Sequence, residues 1–237
     1  MTELRVIRVF LGPDGRGGNP LGVFLDGPSI PEGDRQPIAA ELGFSETVWV
    51  DAVEGRRATI RIHTPTIEMV FAGHPTVGTS WLLRETGRPV DVLHVPAGDV
   101  ATWSDGDRTW IRARAAWANG LIEPRQFATP AEVDALQPGR MGDPGLYAWA
   151  WEDEAAGQVR VRFFATNVGI LEDEATGLGA VVMGDLLGRS LTIRQGVGSE
   201  ILVVAHPETG FVDIGGRVMP MEVREYDTSP HTSRSDP

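Results

Sequence analysis

Phe71-Ala72-Gly73-His74-Pro75-Thr76-Val77-Gly78-Thr79 is the stretch from which the fold can be read. Proline in a first helical turn costs no hydrogen bond, because those amides have no intrahelical acceptor. The spacing therefore predicts a helix from Gly73 to about Glu85, closed by Gly87. Just upstream, Arg57, Thr59 and Arg61 alternate with Ala58, Ile60 and Ile62, the period of a half-buried strand over 58–63. The arrangement then recurs. Arg61-Ile62-His63-Thr64 leads by a loop into Gly73–Thr76, and Arg162-Phe163-Phe164-Ala165 leads by a similar loop into Asp173-Glu174-Ala175-Thr176 and a helix ending near Gly188. Thr76 and Thr176 lie 100 positions apart, a period that means duplicated halves rather than a solenoid.

Outward from these helices the chain reads as short elements joined by turns. Strands are expected at 4–10, 21–25, 47–50, 91–95, 100–104 and 109–114, with a long turn over 12–20. Apolar Ile38, Ala39 and Leu42 give 34–42 a helical period, and Gly43 supplies a left-handed cap. Residues 119–126 read as a connector and 130–136 as a short helix. The stretch 226–237, rich in Ser, Thr, Asp and Pro, reads as a frayed tail.

Composition narrows the chemistry. The 237 residues contain no cysteine, which removes disulfides, thiolate nucleophiles and zinc–thiolate sites. They also contain no lysine, which removes Schiff-base catalysis and a Walker A loop. A net charge of -12 argues against nucleic-acid binding, since neutralising phosphates needs a positive face. With no signal-like start and no long apolar run, neither secretion nor membrane insertion is expected, and the cytoplasm is the default. Carboxylates, histidines, hydroxyls and backbone amides remain.

Glu46 stands between a loop and the apolar run Val48–Val50, where partial desolvation would raise its pKa toward the range of a general acid/base. His74 sits at a helix N-terminus whose free amides and positive dipole end suit an anion, and that field favours neutral imidazole. Glu172-Asp173-Glu174 occupies the matching place in the second half. Each has an ordinary alternative. Glu46 could be solvated, His74 could cap its own helix, and the acids could complement a helix dipole at about 0.3–1 kcal/mol each. Asp173 could itself cap the helix, or Thr176 one that starts later. Gly177-Leu178-Gly179 with Gly184 has the wrong spacing for a dinucleotide fingerprint, the five histidines show no metal-ligand pairing, and no Gly-x-Ser-x-Gly elbow occurs.

Taken together, several segments carry a resemblance: Gly18-Asn19-Pro20-Leu21, Ile38–Leu42 leading to Ser45-Glu46-Thr47, Arg61–Pro65, Phe71–Thr79, Glu172–Gly177 and Gln195-Gly196. In this order, over about residues 4–220, the chain resembles the phenazine-biosynthesis isomerase family (PhzF-like) of the diaminopimelate-epimerase superfamily. The resemblance implies an α+β fold of two similar halves, each a curved sheet or barrel around a central helix, with the active site in the cleft between them. It implies Glu46 as general acid/base, with His74 and Asp173 facing it. It implies Gly73, Thr176, Gly177 and Asn19 as substrate-binding positions, no metal or other cofactor, and a homodimer. The superfamily's two-cysteine racemases have no counterpart in a chain without cysteine.

Three departures bear on this. Leu178 stands where the family usually has a small hydroxyl residue, which removes a hydrogen bond to substrate and points to a different or more apolar ligand. The chain is short between about Trp117 and Gln126, where a helix and strand are expected. The loop Gln195–Glu200 lacks the family's usual Arg-Pro. The expectation is therefore an N-terminal half at 1–117 with Glu46 and His74, and a C-terminal half at 118–225 with Asp173 and Thr176. Together they would move a proton within a small cyclic carboxylate without nucleic acid, membrane or cofactor. The rival reading is a non-catalytic binding paralogue that keeps the cleft.

Overall fold

The computed structural model describes residues 1–227. The chain begins with β1 (Thr2–Leu11), β2 (Gly17–Phe24), α1 (Glu32–Leu42), β3 (Thr47–Glu54), β4 (Arg57–His63), β5 (Glu68–Met69) and α2 (Gly73–Glu85). It continues through β6 (Val92–Val95), β7 (Gly98–Asp105), β8 (Arg108–Arg114), β9 (Pro124–Gln126), α3 (Pro130–Ala135), β10 (Leu146–Asp153), β11 (Gln158–Ala165) and β12 (Ile170–Asp173). It ends with α4 (Gly177–Leu187), β13 (Leu191–Gln195), β14 (Ser199–His206) and β15 (Phe211–Tyr226).

The internal repeat is a repeat of topology. In the first half β2-β3-β4-β6-β7-β8 lie side by side, and in the second β9-β10-β11-β13-β14-β15 do so. In each set the first two strands are parallel, the second and third antiparallel, and the third and fourth parallel. The arginines that marked the repeat also correspond. Arg61 forks onto Glu68 of β5, and Arg162 forks onto Glu172 of β12 at 2.7 Å through both nitrogens. Planar bidentate pairing of this kind pins the short strand to its neighbour.

One strand breaks the symmetry. β1 pairs with β2 on one side and β15 on the other, so the first half closes into a ring of eight strands. Closing a sheet leaves no edge and encloses whatever lies along its axis. α2 occupies that space, and Gly73 through Ser80 are all buried, with Leu82 and Leu83. Two of its buried hydroxyls are paired: Thr76 donates to the Ala72 carbonyl at 2.6 Å, and Ser80 meets Thr102 at 2.6 Å. Among the described residues the second half has no counterpart of β1, and its sheet stays open at β9. The helix and strand expected near 117–126 are represented only by a 3₁₀ turn at Ala115–Trp117 and by β9 itself. α4 still lies buried against β14 and β15, through Gly177–Val181, Met183 and Gly184.

Three expectations from sequence need correction. The long turn ends earlier than expected, since β2 begins at Gly17; Gly17 and Gly18 both have positive φ, yet Gly17 pairs with Leu11 of β1 and packs on Ser199, and the Gly18 amide donates to the Ser199 hydroxyl. β15 runs to Tyr226, which pairs with Thr2 and donates to Glu41 at 2.9 Å, so the frayed tail does not start there. The remainder of that tail, 228–237, lies outside the described residues. The connector 119–126 contains a strand at 124–126, because backbone pairing to Tyr147–Trp149 outweighs its weak local preference. Among the described residues no helix is long and apolar enough to cross a membrane.

Candidate active site

The two central helices meet end to end. A methyl group on Gly73 would lie 2.8 Å from the Cα of Gly177, and one on Gly177 would lie 2.6 Å from the His74 nitrogen. Only glycine permits this approach, and it brings two sets of unpaired N-terminal amides to one place. β12 ends at Asp173, and Ala175–Thr176 turn the chain into α4. Thr176 therefore occupies the cap position. Its hydroxyl caps nothing and instead donates to Asp173 Oδ2 at 2.6 Å.

A cavity of about 250 Å³ opens at this junction, lined by Glu46, His74 and Asp173 with Gly73, Thr176 and Gly177. Asn19, read from sequence as a substrate contact, is not in the wall. It lies buried behind Asp173, donating to Asp173 Oδ1 at 2.6 Å and the Ala175 carbonyl at 3.1 Å, and its own carbonyl oxygen accepts from Ser45 at 3.2 Å. It holds the two halves in register across the cleft. A wider, shallow depression of about 660 Å³ lies elsewhere, around Asp26, Asp51 and Arg56. There Arg56 already pairs with Asp91 and Asp51 with Arg35, leaving no buried titratable cluster comparable to the cleft's.

Glu46 Oε2 sits 3.0 Å from His74 Nδ1, within ion-pair range but off the line of a hydrogen bond. His74 is 2% exposed and the Glu46 side chain 15%. Burial opposes charge on both. For Glu46 the His74 cation and the Ser45 hydroxyl prevail, and the carboxyl is held below its ordinary range. For His74, burial is outweighed by Glu46 and then Asp173, and its pKa rises. The sequence reading, in which the helix dipole keeps His74 neutral, is thus reversed: full charges within a few ångströms in a dry site outweigh the partial charge of a helix end. Asp173 goes the other way. Burial first, and the negative charge of Glu46 second, push it up to about 7 against the opposing help of His74, Thr176 and Asn19. Two carboxyls facing one cleft are therefore driven apart in acidity, the pattern that separates acid from base roles.

Two further side chains were not singled out from sequence as site residues. Gln195 donates to the Asp173 carbonyl and to the Thr176 hydroxyl, both at 2.8 Å, and accepts from the Thr176 amide at 3.2 Å. Glu174 accepts from the Val197 amide at 3.0 Å and the Ser199 hydroxyl at 2.8 Å, and Ser199 accepts from the Gly18 amide at 2.8 Å. Glu174 thereby ties the glycine loop to the turn that carries Asn19. The third consecutive acid of 172–174, in excess of what capping needs, was the available signal.

Comparison with known proteins agrees with this architecture. Residues 13–119 match the PhzC-PhzF family of phenazine biosynthesis-like proteins. The chain is 44% identical to a trans-2,3-dihydro-3-hydroxyanthranilate isomerase of Pseudomonas chlororaphis, over 84% of this chain and 86% of that one. It is 28% identical to an uncharacterised isomerase of Pasteurella multocida, over 86% of each. In fold it resembles the crystal structure of a PhzF-family protein from Enterococcus faecalis, with a TM-score of 0.75 at 18% identity over 94% of this chain and 97% of that one. The duplicated fold with its helix-to-helix cleft is the chain's own, and with these relatives it belongs to the phenazine biosynthesis-like, PhzF, family of isomerases.

Proposed function

We propose that the cleft moves a proton between two carbons of a small cyclic carboxylate, with Glu46 as the general acid/base and no cofactor. The observation that carries this is the opposed tuning of two buried carboxyls at one pair of helix ends. Glu46, ionised through His74, takes a proton from a ring carbon conjugated to the substrate carboxylate. The electron pair left behind delocalises into that carboxylate, at the amides of Gly73, His74 and Gly177, where an oxyanion is best stabilised. The Glu46 carboxylic acid then returns the proton to a second carbon, and the bonds balance with nothing gained or lost. His74 keeps the base ionised and aimed. Asp173, raised to about 7, is available near neutrality as a proton donor to the developing charge.

Incubating the protein in heavy water with trans-2,3-dihydro-3-hydroxyanthranilate and a panel of cyclic carboxylates tests the proposal. Deuterium in a recovered or rearranged compound, detected by mass spectrometry, is the expected result. Thermal stabilisation by a carboxylate with no deuterium in any compound would favour the non-catalytic binding paralogue, a reading supported by Leu178 in the cleft wall.

A further inference from the structure

The cleft has a buried floor and an exposed mouth. Gly73, His74 and Gly177 at the helix ends are buried, whereas Ile67 at the opening is 50% exposed. Most polar side chains of the wall have a task. Both oxygens of Asp173 accept hydrogen bonds, from Asn19 and Thr176, and the Thr176 hydroxyl also accepts from Gln195. The Thr64 hydroxyl turns back on its own loop, to the Ile67 backbone at 3.0–3.1 Å. Glu46 Oε2 and His74 Nε2 are buried without hydrogen-bond partners, and the proposed proton transfer already employs that pair. Asn167 is left over. It lines the same cavity, is exposed, and makes no hydrogen bond to any described residue. Its carboxamide nevertheless offers two N–H donors and an oxygen acceptor.

The internal repeat shows what sets this position apart. The loop after β4, 64–67, and the 3₁₀ turn after β11, Thr166–Val168, are equivalent, and both reach the cavity wall. In the second, Thr166 ties the turn down: its hydroxyl donates to the Asp143 carbonyl at 3.0 Å, and its own carbonyl accepts from the Gly142 amide at 2.9 Å. Asn167 has no part in holding the turn. Its carboxamide is seated all the same, since a methyl on Gly145 would lie 2.7 Å from Asn167 Oδ1 and glycine leaves room for it. We infer that Asn167 is a specificity-determining residue, hydrogen-bonding a hydroxyl or amine carried on the substrate ring away from its carboxylate. The inference rests on the proposed placement of the carboxylate at the helix ends. A cavity of about 250 Å³ then holds one ring, with a distal substituent toward the mouth and an adjacent one at the buried floor. Few, well-placed polar groups in an otherwise apolar wall fix a ligand's orientation in this way.

Equilibrium titration calorimetry tests it with benzoate and its 2-, 3- and 4-hydroxy derivatives. Wild type is expected to bind the 3- or the 4-hydroxy acid about fivefold tighter than benzoate, the worth of one net hydrogen bond, with no such gain for 2-hydroxybenzoate. Asn167→Leu keeps the volume, removes both hydrogen-bonding groups and should abolish the gain while leaving benzoate within about twofold of wild type. Gly145→Ala, outside the cavity, should displace the carboxamide and lower the same gain. Equal binding of all four acids by wild type, no binding of any, a gain shared by 2-hydroxybenzoate, or a gain that survives Asn167→Leu would overturn the inference. A gain lost in Asn167→Leu, with no deuterium incorporation into any compound by wild type, would instead overturn the isomerase reading and leave the role of Asn167 standing.

Discussion

Removing the Glu174 carboxylate is a sharp test of how the cleft is held together, because its partners can be counted. In Glu174→Ala the Val197 amide and the Ser199 hydroxyl lose their acceptor. Val197 is 76% exposed and water can replace that bond, so its loss costs little. Ser199 is 1% exposed and cannot turn to solvent; its hydroxyl still accepts from Gly18 but has nothing to donate to. A lost hydrogen bond to a charged group, with one buried partner left over, comes to about 1–2 kcal/mol. For a chain of this length that corresponds to a fall in Tm of roughly 2–8 °C. Glu174→Gln keeps an acceptor for Ser199 and should recover most of it. Differential scanning calorimetry reads the stability, and amide hydrogen exchange reads the consequence: faster exchange at Gly18 and across 196–199 in the alanine variant. An alanine variant melting within a degree of wild type, or a glutamine variant falling as far as alanine, would refute the latch.

Three other outcomes follow from the same geometry. The Asp173 carboxyl, raised to about 7 from an ordinary 3.8, makes the folded state the better proton binder between those values. Stability should therefore decline as pH rises from about 4 to about 7, a slope that Asp173→Asn abolishes in urea titrations across that window. His74, raised, and Glu46, lowered, give a pair whose stabilisation is complete between their ordinary pKa values; it is lost as pH climbs through the raised value or falls through the lowered one. His74→Asn leaves Glu46 buried without a counter-charge, so its carbon-13 carboxyl titration should move upward. Gly73→Ala places a methyl 2.8 Å from the opposing helix and should cost about 1–3 kcal/mol by denaturant unfolding, with loss of carboxylate binding.

The parts legible in the sequence were those set by local chemistry. α2 begins at Gly73 and ends at Glu85 as Pro75 and Gly87 imply, and Gly43 caps α1 at a φ of 67°. The long-period repeat was visible because Arg61 and Arg162 mark equivalent strands. What stayed hidden depends on distant partners. β10, β14 and β15 were not delineated because their pairing, not their composition, defines them, and β15 in particular is shared by the two halves. At the site, Glu46, His74 and Asp173 were legible as types at helix and strand ends. The upward shift of the His74 pKa was not, since it follows from Glu46 standing 28 positions away in sequence and 3.0 Å away in space. Asn19 was found for a partly different reason from the one the structure gives: it holds Asp173 and does not line the cleft.

The most direct test of the central claim is solvent-deuterium incorporation by Glu46→Gln beside wild type, on the compound that wild type labels best. Glutamine keeps the shape of glutamate and an oxygen for His74 but cannot take a proton. The account predicts incorporation lowered by about 100-fold or more, with carboxylate affinity and Tm close to wild type. Incorporation at the wild-type rate would contradict it and place the base elsewhere.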